Sequence, residues 1–213
     1  GNMGINHARV FESIGCLDSI VEINPERREF LKQTYEESKI VESISQTNSD
    51  AYVIATPTIQ HFKIAKSLLE KGKHLLIEKP VCMNMQEANE LTKLALNSGL
   101  VVAVGHVERF NPVVDYLAGW IADKPLKTIE TYRLSAMPPQ IQDVGVFKDL
   151  GIHDVDVVLS LVNSDIESIY AVSSEKNEKD VYTKTCITFK NGVHAFITAS
   201  WLSTSKIRKI YVS

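Results

Sequence analysis

Lys79, Asp149 and His153 are the side chains whose types and settings offer proton-transfer chemistry. Lys79 follows the apolar run His74 to Ile77, at the strand end where open α/β sheets take their ligands. A lysine partly desolvated there, with other cations nearby, gives up its proton readily enough to exchange one with a hydroxyl group. The plainer reading of an isolated Lys-Pro pair is a surface lysine ahead of a loop. Asp149 and His153 stand four residues apart, so a helix beginning near Gly151 carries both over its first turn, toward one cleft. The alternative is an acid at a helix N-terminus beside a satisfied histidine, a part that Asp154 and Asp156 play equally well. Asp149, His153 and Asp156 are also metal-ligand types, but no further cluster completes a site, and no metal is expected.

A second group of residues suits a dinucleotide. Gly1-Asn2-Met3-Gly4 matches the last half of a G-x-G-x-x-G loop, whose use is to bring backbone amides at a helix N-terminus against a pyrophosphate. Glu22 ends the next strand about 20 residues on, where a carboxylate accepts from the ribose hydroxyls of NAD. The same charge repels the 2'-phosphate of NADP, so NAD is the expected cofactor and NADP the less favoured one. The competing reading of Glu22 is a solvated acid ahead of a helix cap. Arg109 suits an anion, either at the nicotinamide ribose or on a substrate phosphate. It suits a structural ion pair equally well, with Glu108 as a near candidate.

The elements that must position these residues change character along the chain. In the first half, short apolar runs at Ser19 to Ile23, Ala51 to Ala55, His74 to Ile77 and Leu100 to Val104 alternate with helical patterns, as in a parallel sheet covered on both faces. Asn24-Pro25 reads as a helix cap followed by proline in the first turn, Asn84 with Glu87 as a capping box, and Gly99 as a helix stop. After about Pro112 the strands are longer and alternating: Thr128 to Ala136, Ile166 to Ser173, Tyr182 to Lys190, Val193 to Trp201 and Lys206 to Val212. Asn191-Gly192 is a strong hairpin signal, and one helix, about Gly151 to Leu161, interrupts this half. The expected architecture is an α/β, Rossmann-like parallel-sheet domain over residues 1–111, lacking its first strand. An α+β domain with a large antiparallel sheet follows over residues 112–213 and is C-terminally incomplete. Gly1 opens the chain inside a glycine loop with no strand feeding it, and a strand closes it, so the chain is expected to be part of a protein of about 300 residues or more.

Composition narrows the function classes. The 213 residues are 44% hydrophobic and 23% charged with a net charge of -3, which allows a full core and provides no basic surface for nucleic acid. The apolar runs are too short to cross a bilayer. Cys16, Cys82 and Cys186 are odd in number and far apart, so no disulfide framework is expected and a cytoplasmic setting fits.

Thr56-Pro57, Glu78-Lys79-Pro80, the stretch Gly105-His106-Val107-Glu108-Arg109-Phe110-Asn111-Pro112 and Asp149-Leu150-Gly151-Ile152-His153 follow in this order over nearly the whole chain. Together they resemble the glucose-fructose oxidoreductase, inositol dehydrogenase and MocA family of NAD(P)-dependent sugar oxidoreductases. With Asp143-Val144-Gly145-Val146, the resemblance is nearest to members that oxidise nucleotide-linked amino sugars. It implies Lys79 as the catalytic base, with Glu78 shaping the cofactor pocket and Pro80 fixing the turn. It implies His153 as a proton-transfer or hydroxyl-orienting group, Asp149 as an acceptor from a substrate hydroxyl, and Thr56, Pro57 and His61 beside the cofactor. His61 equally reads as a packing histidine on a helix face. The substrate implied is a sugar secondary alcohol, with a UDP-linked sugar in view. Because antiparallel sheets commonly leave one face free, a homodimer or homotetramer through that sheet is expected. Competing readings are a catalytically silent nucleotide or sugar sensor of the same fold, and a dehydrogenase of free polyols such as inositol.

Overall fold

A computed structural model of the chain describes residues 1–139 and 143–213. They divide into two compact units, Gly1–Val104 and Gly105–Ser213. In the first unit the helices are α1 (Asn2–Ser13), α2 (Pro25–Leu31), α3 (Thr58–Leu69) and α4 (Met85–Ser98). The strands are β1 (Ile20–Val21), β2 (Ile40–Val41), β3 (Ala51–Ile54), β4 (His74–Ile77) and β5 (Val102–Val104). All the pairings in this unit are parallel, in two groups: β1 with β2, and β3-β4-β5. Ile54, Leu75 and Ile77 from the strands pack with Ala65, Leu68, Leu69 and Leu91 from α3 and α4. Each large side chain so buried stabilises the fold by about 1.5–3 kcal/mol. A smaller cluster, Ala8, Leu31 and Tyr35 with Ile20 and Ile40, seats α1 and α2 beside the β1-β2 pair.

Local chemistry sets the helix ends. Asn24 accepts from the Arg27 amide at 3.2 Å with Pro25 in the first turn, and Asn84 accepts from the Glu87 amide at 2.9 Å. Glu87 departs from the expected capping box, because its carboxylate takes the amide of Met83 at 3.0 Å and not that of Asn84. Gly99 closes α4 at φ 64, in the left-handed region that glycine enters without steric cost. β1 is shorter than expected, with Ser19 and Ile23 outside the ladder, and β2 was not anticipated.

The second unit opens with a 3-10 turn, Val107–Phe110, and α5 (Pro112–Ile121), a helix that the sequence reading passed over. Its signal was present: Asn111 accepts from the Val113 amide at 3.0 Å with Pro112 next, repeating the Asn24-Pro25 arrangement. β6 (Thr128–Ala136) follows, then a π-helical turn, Phe147–Gly151, running into α6 (Ile152–Leu161). β7 (Ile166–Lys176), β8 (Lys179–Phe189), β9 (His194–Ser200) and β10 (Leu202–Val212) complete a five-stranded sheet of order β10-β6-β9-β8-β7. The pairings are antiparallel except β6 with β9, so the expected antiparallel sheet carries one parallel pair. Parallel neighbours need a long crossover, and the segment holding the π turn and α6 leaves β6 before the hairpins of β7 to β9 begin. Gly192, at φ 83, turns β8 into β9 as Asn191-Gly192 predicts.

One face of this sheet is covered. Ile129, Ile187, Phe189, Ala195 and Ile197 pack under Val158 and Val162. Alternation places Tyr132, Phe196, Tyr170 and Tyr211 on the opposite face, and the rings of Tyr132 and Tyr211 meet edge to face with centroids 6.0 Å apart.

Candidate active site

In the first unit the strand ends gather the expected residues. A Cβ built on Gly4 would rest 3.7 Å from that of Ala55, so the first turn of α1 lies against the end of β3, next to Thr56-Pro57. No side chain caps the amides of α1, in contrast to the asparagine caps on α2, α4 and α5. Those uncapped donors fit a pyrophosphate. Glu22 sits just past β1. Its carboxylate accepts from the Asn24 amide at 3.0 Å and lies 3.5 Å from the Arg27 guanidinium, so an arginine stands closer to this acid than the sequence spacing implied.

The Glu78-Lys79-Pro80 turn leaves the end of β4, and its backbone is held at several points. Glu78 is buried; its Oε1 accepts from His7 Nε2 at 2.7 Å and its Oε2 from the Lys79 amide at 3.3 Å. The Glu78 amide donates to the Ile54 carbonyl at 2.9 Å, tying the turn to β3. A buried carboxylate without such partners is costly, and here both oxygens are met. His7 reaches it from α1, so the helix that opens the glycine loop also grips the residue beside Lys79. His61, on α3, is fully enclosed with its ring nitrogens at the Pro80 and Thr56 carbonyls, so it sits behind the turn. Cys82 is buried in the same core, which pushes its thiol up to about 11 and leaves it a packing residue.

The second unit places Asp149 inside the π-helical turn and His153 at the start of α6. Asp149 is buried and His153 is half-buried. π turns within helices are often found at functional sites, because the extra residue re-aims the side chains around it. The other two acids of this helix are committed elsewhere. Arg133 donates to Asp154 Oδ1 through Nε at 2.9 Å and Nη2 at 2.7 Å, and to Glu108 Oε1 through Nη1 at 3.0 Å. Arg109 forks onto Asp156 with two bonds of 2.7 Å. Arg109 therefore makes an ion pair, as one sequence reading allowed, with Asp156 rather than Glu108 as partner; its guanidinium stays half exposed. Burial acts to raise Glu108, but the Arg133 hydrogen bond and charge outweigh it and hold the carboxyl below its ordinary range. Asp154 goes the other way: burial outweighs the same arginine, and its carboxyl is raised.

Arg133 is the residue that sequence reasoning missed. It follows Ile129 and Thr131 on the inward side of an alternating strand, and a charge at such a position calls for buried partners. Among the described residues, no group of three or more His, Cys, Asp or Glu side chains could hold a metal ion.

Comparison with known proteins meets these sites at both units. Residues 1–106 match the oxidoreductase family model with an NAD-binding Rossmann fold, and residues 131–212 match the GFO/IDH/MocA C-terminal domain. The chain belongs to this family. As a GFO/IDH/MocA oxidoreductase it is 31% identical over its whole length to UDP-N-acetylglucosamine 3-dehydrogenase of Acidithiobacillus ferrooxidans, spanning 68% of that protein. A solved structure of that enzyme superposes with a TM-score of 0.89 at 30% identity, covering 100% of this chain and 70% of the other. An NAD-binding protein from Listeria innocua gives 0.87 at 27% identity, covering 100% and 68%. An inositol 2-dehydrogenase of Mycolicibacterium smegmatis is 30% identical over 142 residues, 64% of this chain and 41% of that one. This oxidoreductase therefore carries the NAD-binding Rossmann fold and the sugar-dehydrogenase kinship that its motifs foretell. No described helix is long and apolar enough to cross a membrane.

Proposed function

We propose that this oxidoreductase oxidises a secondary alcohol of a nucleotide-linked amino sugar, with Lys79 as the base. In this reading residues 1–111 hold the cofactor and residues 112–213 hold the sugar and the contact between subunits. The observation that carries it is the setting of Lys79, at the end of a parallel strand, on a turn gripped through Glu78 by the helix that opens the glycine loop. The identity with a UDP-N-acetylglucosamine dehydrogenase over the whole chain supports the substrate class.

The α1 amides and Gly1 to Gly4 would hold the pyrophosphate, Glu22 the adenosine ribose, and Thr56-Pro57 the edge of the pocket. NAD, when bound, supplies the hydride acceptor. Lys79 takes the hydroxyl proton at Nζ, which requires it to arrive neutral. Asp149 accepts a hydrogen bond from a neighbouring sugar hydroxyl, and His153 orients the reacting one or relays its proton. The two Arg–Asp forks fix α6 and hence the aim of His153. Most of the rate in such chemistry comes from holding the donor carbon and the base in register.

Lys79→Ala tests the assignment with NAD and UDP-N-acetylglucosamine as probes. Turnover should fall by roughly two to four orders of magnitude, the usual worth of a general base, while NAD affinity measured by calorimetry holds. Lys79→Arg should fail nearly as badly, since guanidinium keeps its proton. If His153→Asn is inactive while Lys79→Ala keeps most of its rate, the two roles are exchanged. Oxidation of myo-inositol in preference to the nucleotide sugar would move the substrate to the polyol class.

A further inference from the structure

Arg208 on β10 is paired directly with Arg133 on β6, so the two side chains leave the same, covered face of the sheet. Like charges set opposite one another on a sheet are destabilising. For Arg133 the fold supplies the remedy. Burial acts to lower its guanidinium, but Asp154 and then Glu108 outweigh burial and raise it above its ordinary range. Arg208 has no such remedy: among the described residues it makes no ion pair. Burial and then the Arg133 charge lower its guanidinium, and Asp154, Glu108 and Asp149 offset them only in part.

The geometry shows which hydrogens are left over. Nη1 of Arg208 donates to the carbonyl oxygens of Leu134 at 3.0 Å and Ile207 at 2.8 Å, which fixes the plane of the group. Arg133 and Arg109 fork onto their aspartates through the Nε–Nη2 edge. On Arg208 that edge has no partner among the described residues, and the residue stays exposed. A planar two-donor edge of fixed aim suits phosphate oxygens. Asp149 is close enough to act on Arg208, so the edge stands beside the residue assigned to a sugar hydroxyl. We propose that Arg208 is a substrate-binding residue, which takes the diphosphate of a nucleotide-linked sugar through Nε and Nη2. This rests on the reading of the substrate as a nucleotide sugar. Without such a cation, the three acids here would repel a diphosphate.

Titration calorimetry with UDP and with NAD as separate probes tests this. Arg208→Gln keeps a donor but loses the charge and the fork, and its Kd for UDP should rise roughly tenfold or more while its Kd for NAD moves by less than about threefold. The KM for UDP-N-acetylglucosamine should rise with the Kd for UDP. In ¹H–¹⁵N NMR of the unmutated chain, with the Arg208 Nε–H signal assigned by its loss in Arg208→Lys, added UDP should shift that signal. A Kd for UDP unchanged by Arg208→Gln, a static Nε–H signal, or equal losses for UDP and NAD would each overturn the proposal, the last by showing that Arg208 only supports the fold. An unmutated chain that binds no UDP and oxidises a free polyol would remove the substrate reading and this proposal together. UDP bound equally by the unmutated chain and Arg208→Gln would remove the role of Arg208 alone.

Discussion

At the scale of single residues, the proposed place of Glu22 at the adenosine ribose makes its charge the test of the choice between NAD and NADP. Its carboxylate is mostly enclosed and leans on Arg27 at 3.5 Å. With Glu22 present, the acid engages the arginine and repels a 2'-phosphate; without it, a guanidinium suited to phosphate is left at the same spot. Glu22→Ser should therefore do more than relax the preference. NADP affinity should rise about tenfold or more while NAD affinity falls, as read by titration calorimetry; equal affinities for the two in the unmutated chain would sink the idea. The place of Glu22 just past β1 was legible from spacing alone, because the distance from a glycine loop to the end of the next strand is set by one helix and one turn. The contact of Arg27 was not, since it depends on how the first turn of α2 winds back over β1. His61 was still harder to read. Its partners are backbone carbonyls, which leave no trace in residue types, so a helix-face histidine could only be read as packing or as a cofactor neighbour.

Two devices at the scale of elements hold the π turn and α6. Asp180, on β8, accepts from the Phe147 amide at 2.7 Å and so caps the turn that carries Asp149. A Cβ on Gly145 would run into that carboxylate. Gly145→Ala should push Asp180 off the cap and cost about 1–3 kcal/mol in urea unfolding. A loss below about 0.5 kcal/mol would mean that the cap contributes nothing measurable. The other device is the Glu108–Arg133–Asp154 cluster. Glu108 has a folded value below its ordinary 4.5, so the unfolded chain takes up that proton first. Its contribution is present above about 4.5 and is lost as pH falls through the lowered value. Asp154, raised by burial, has the opposite sign, and protonating it relieves the native state. Comparison of Glu108→Gln with the unmutated chain isolates the first effect: the variant should be less stable near neutrality, and the gap should close as pH falls below about 4.5. A gap independent of pH would assign the cost to lost packing.

Element types were largely legible, because β3, β4, β6 and the Asn191-Gly192 turn follow from apolar runs and turn chemistry. The β7–β8 turn was not, since Asn177 and Glu178 take positive φ without a glycine to announce it. Nor was the parallel pairing of β6 with β9, because strand order is decided by crossovers and not by the strands themselves.

At the scale of the whole molecule, the face of the five-stranded sheet opposite Val158 and Val162 has no partner within its own unit among the described residues. Tyr170 is 71% and Tyr211 52% exposed, with Tyr132 and Phe196 between them on the same side by alternation. A broad sheet face rich in aromatic side chains is the composition found at the centre of protein interfaces, where rings bury large areas at small entropic cost. A homodimer through this face would meet the needs of the sheet, since two such faces packed together exclude water from both. Stable pairing requires about 800 Å² from each partner, an area available to a five-stranded face with strands up to 11 residues long. Tyr170→Glu and Tyr211→Glu each place a charge at the surface without entering the covered core. Light scattering should report a dimer for the unmutated chain and a monomer for the variants at equal concentration, with unchanged far-ultraviolet circular dichroism. A chain that is monomeric throughout would leave these aromatics as solvent-facing residues and remove the sheet from the subunit contact.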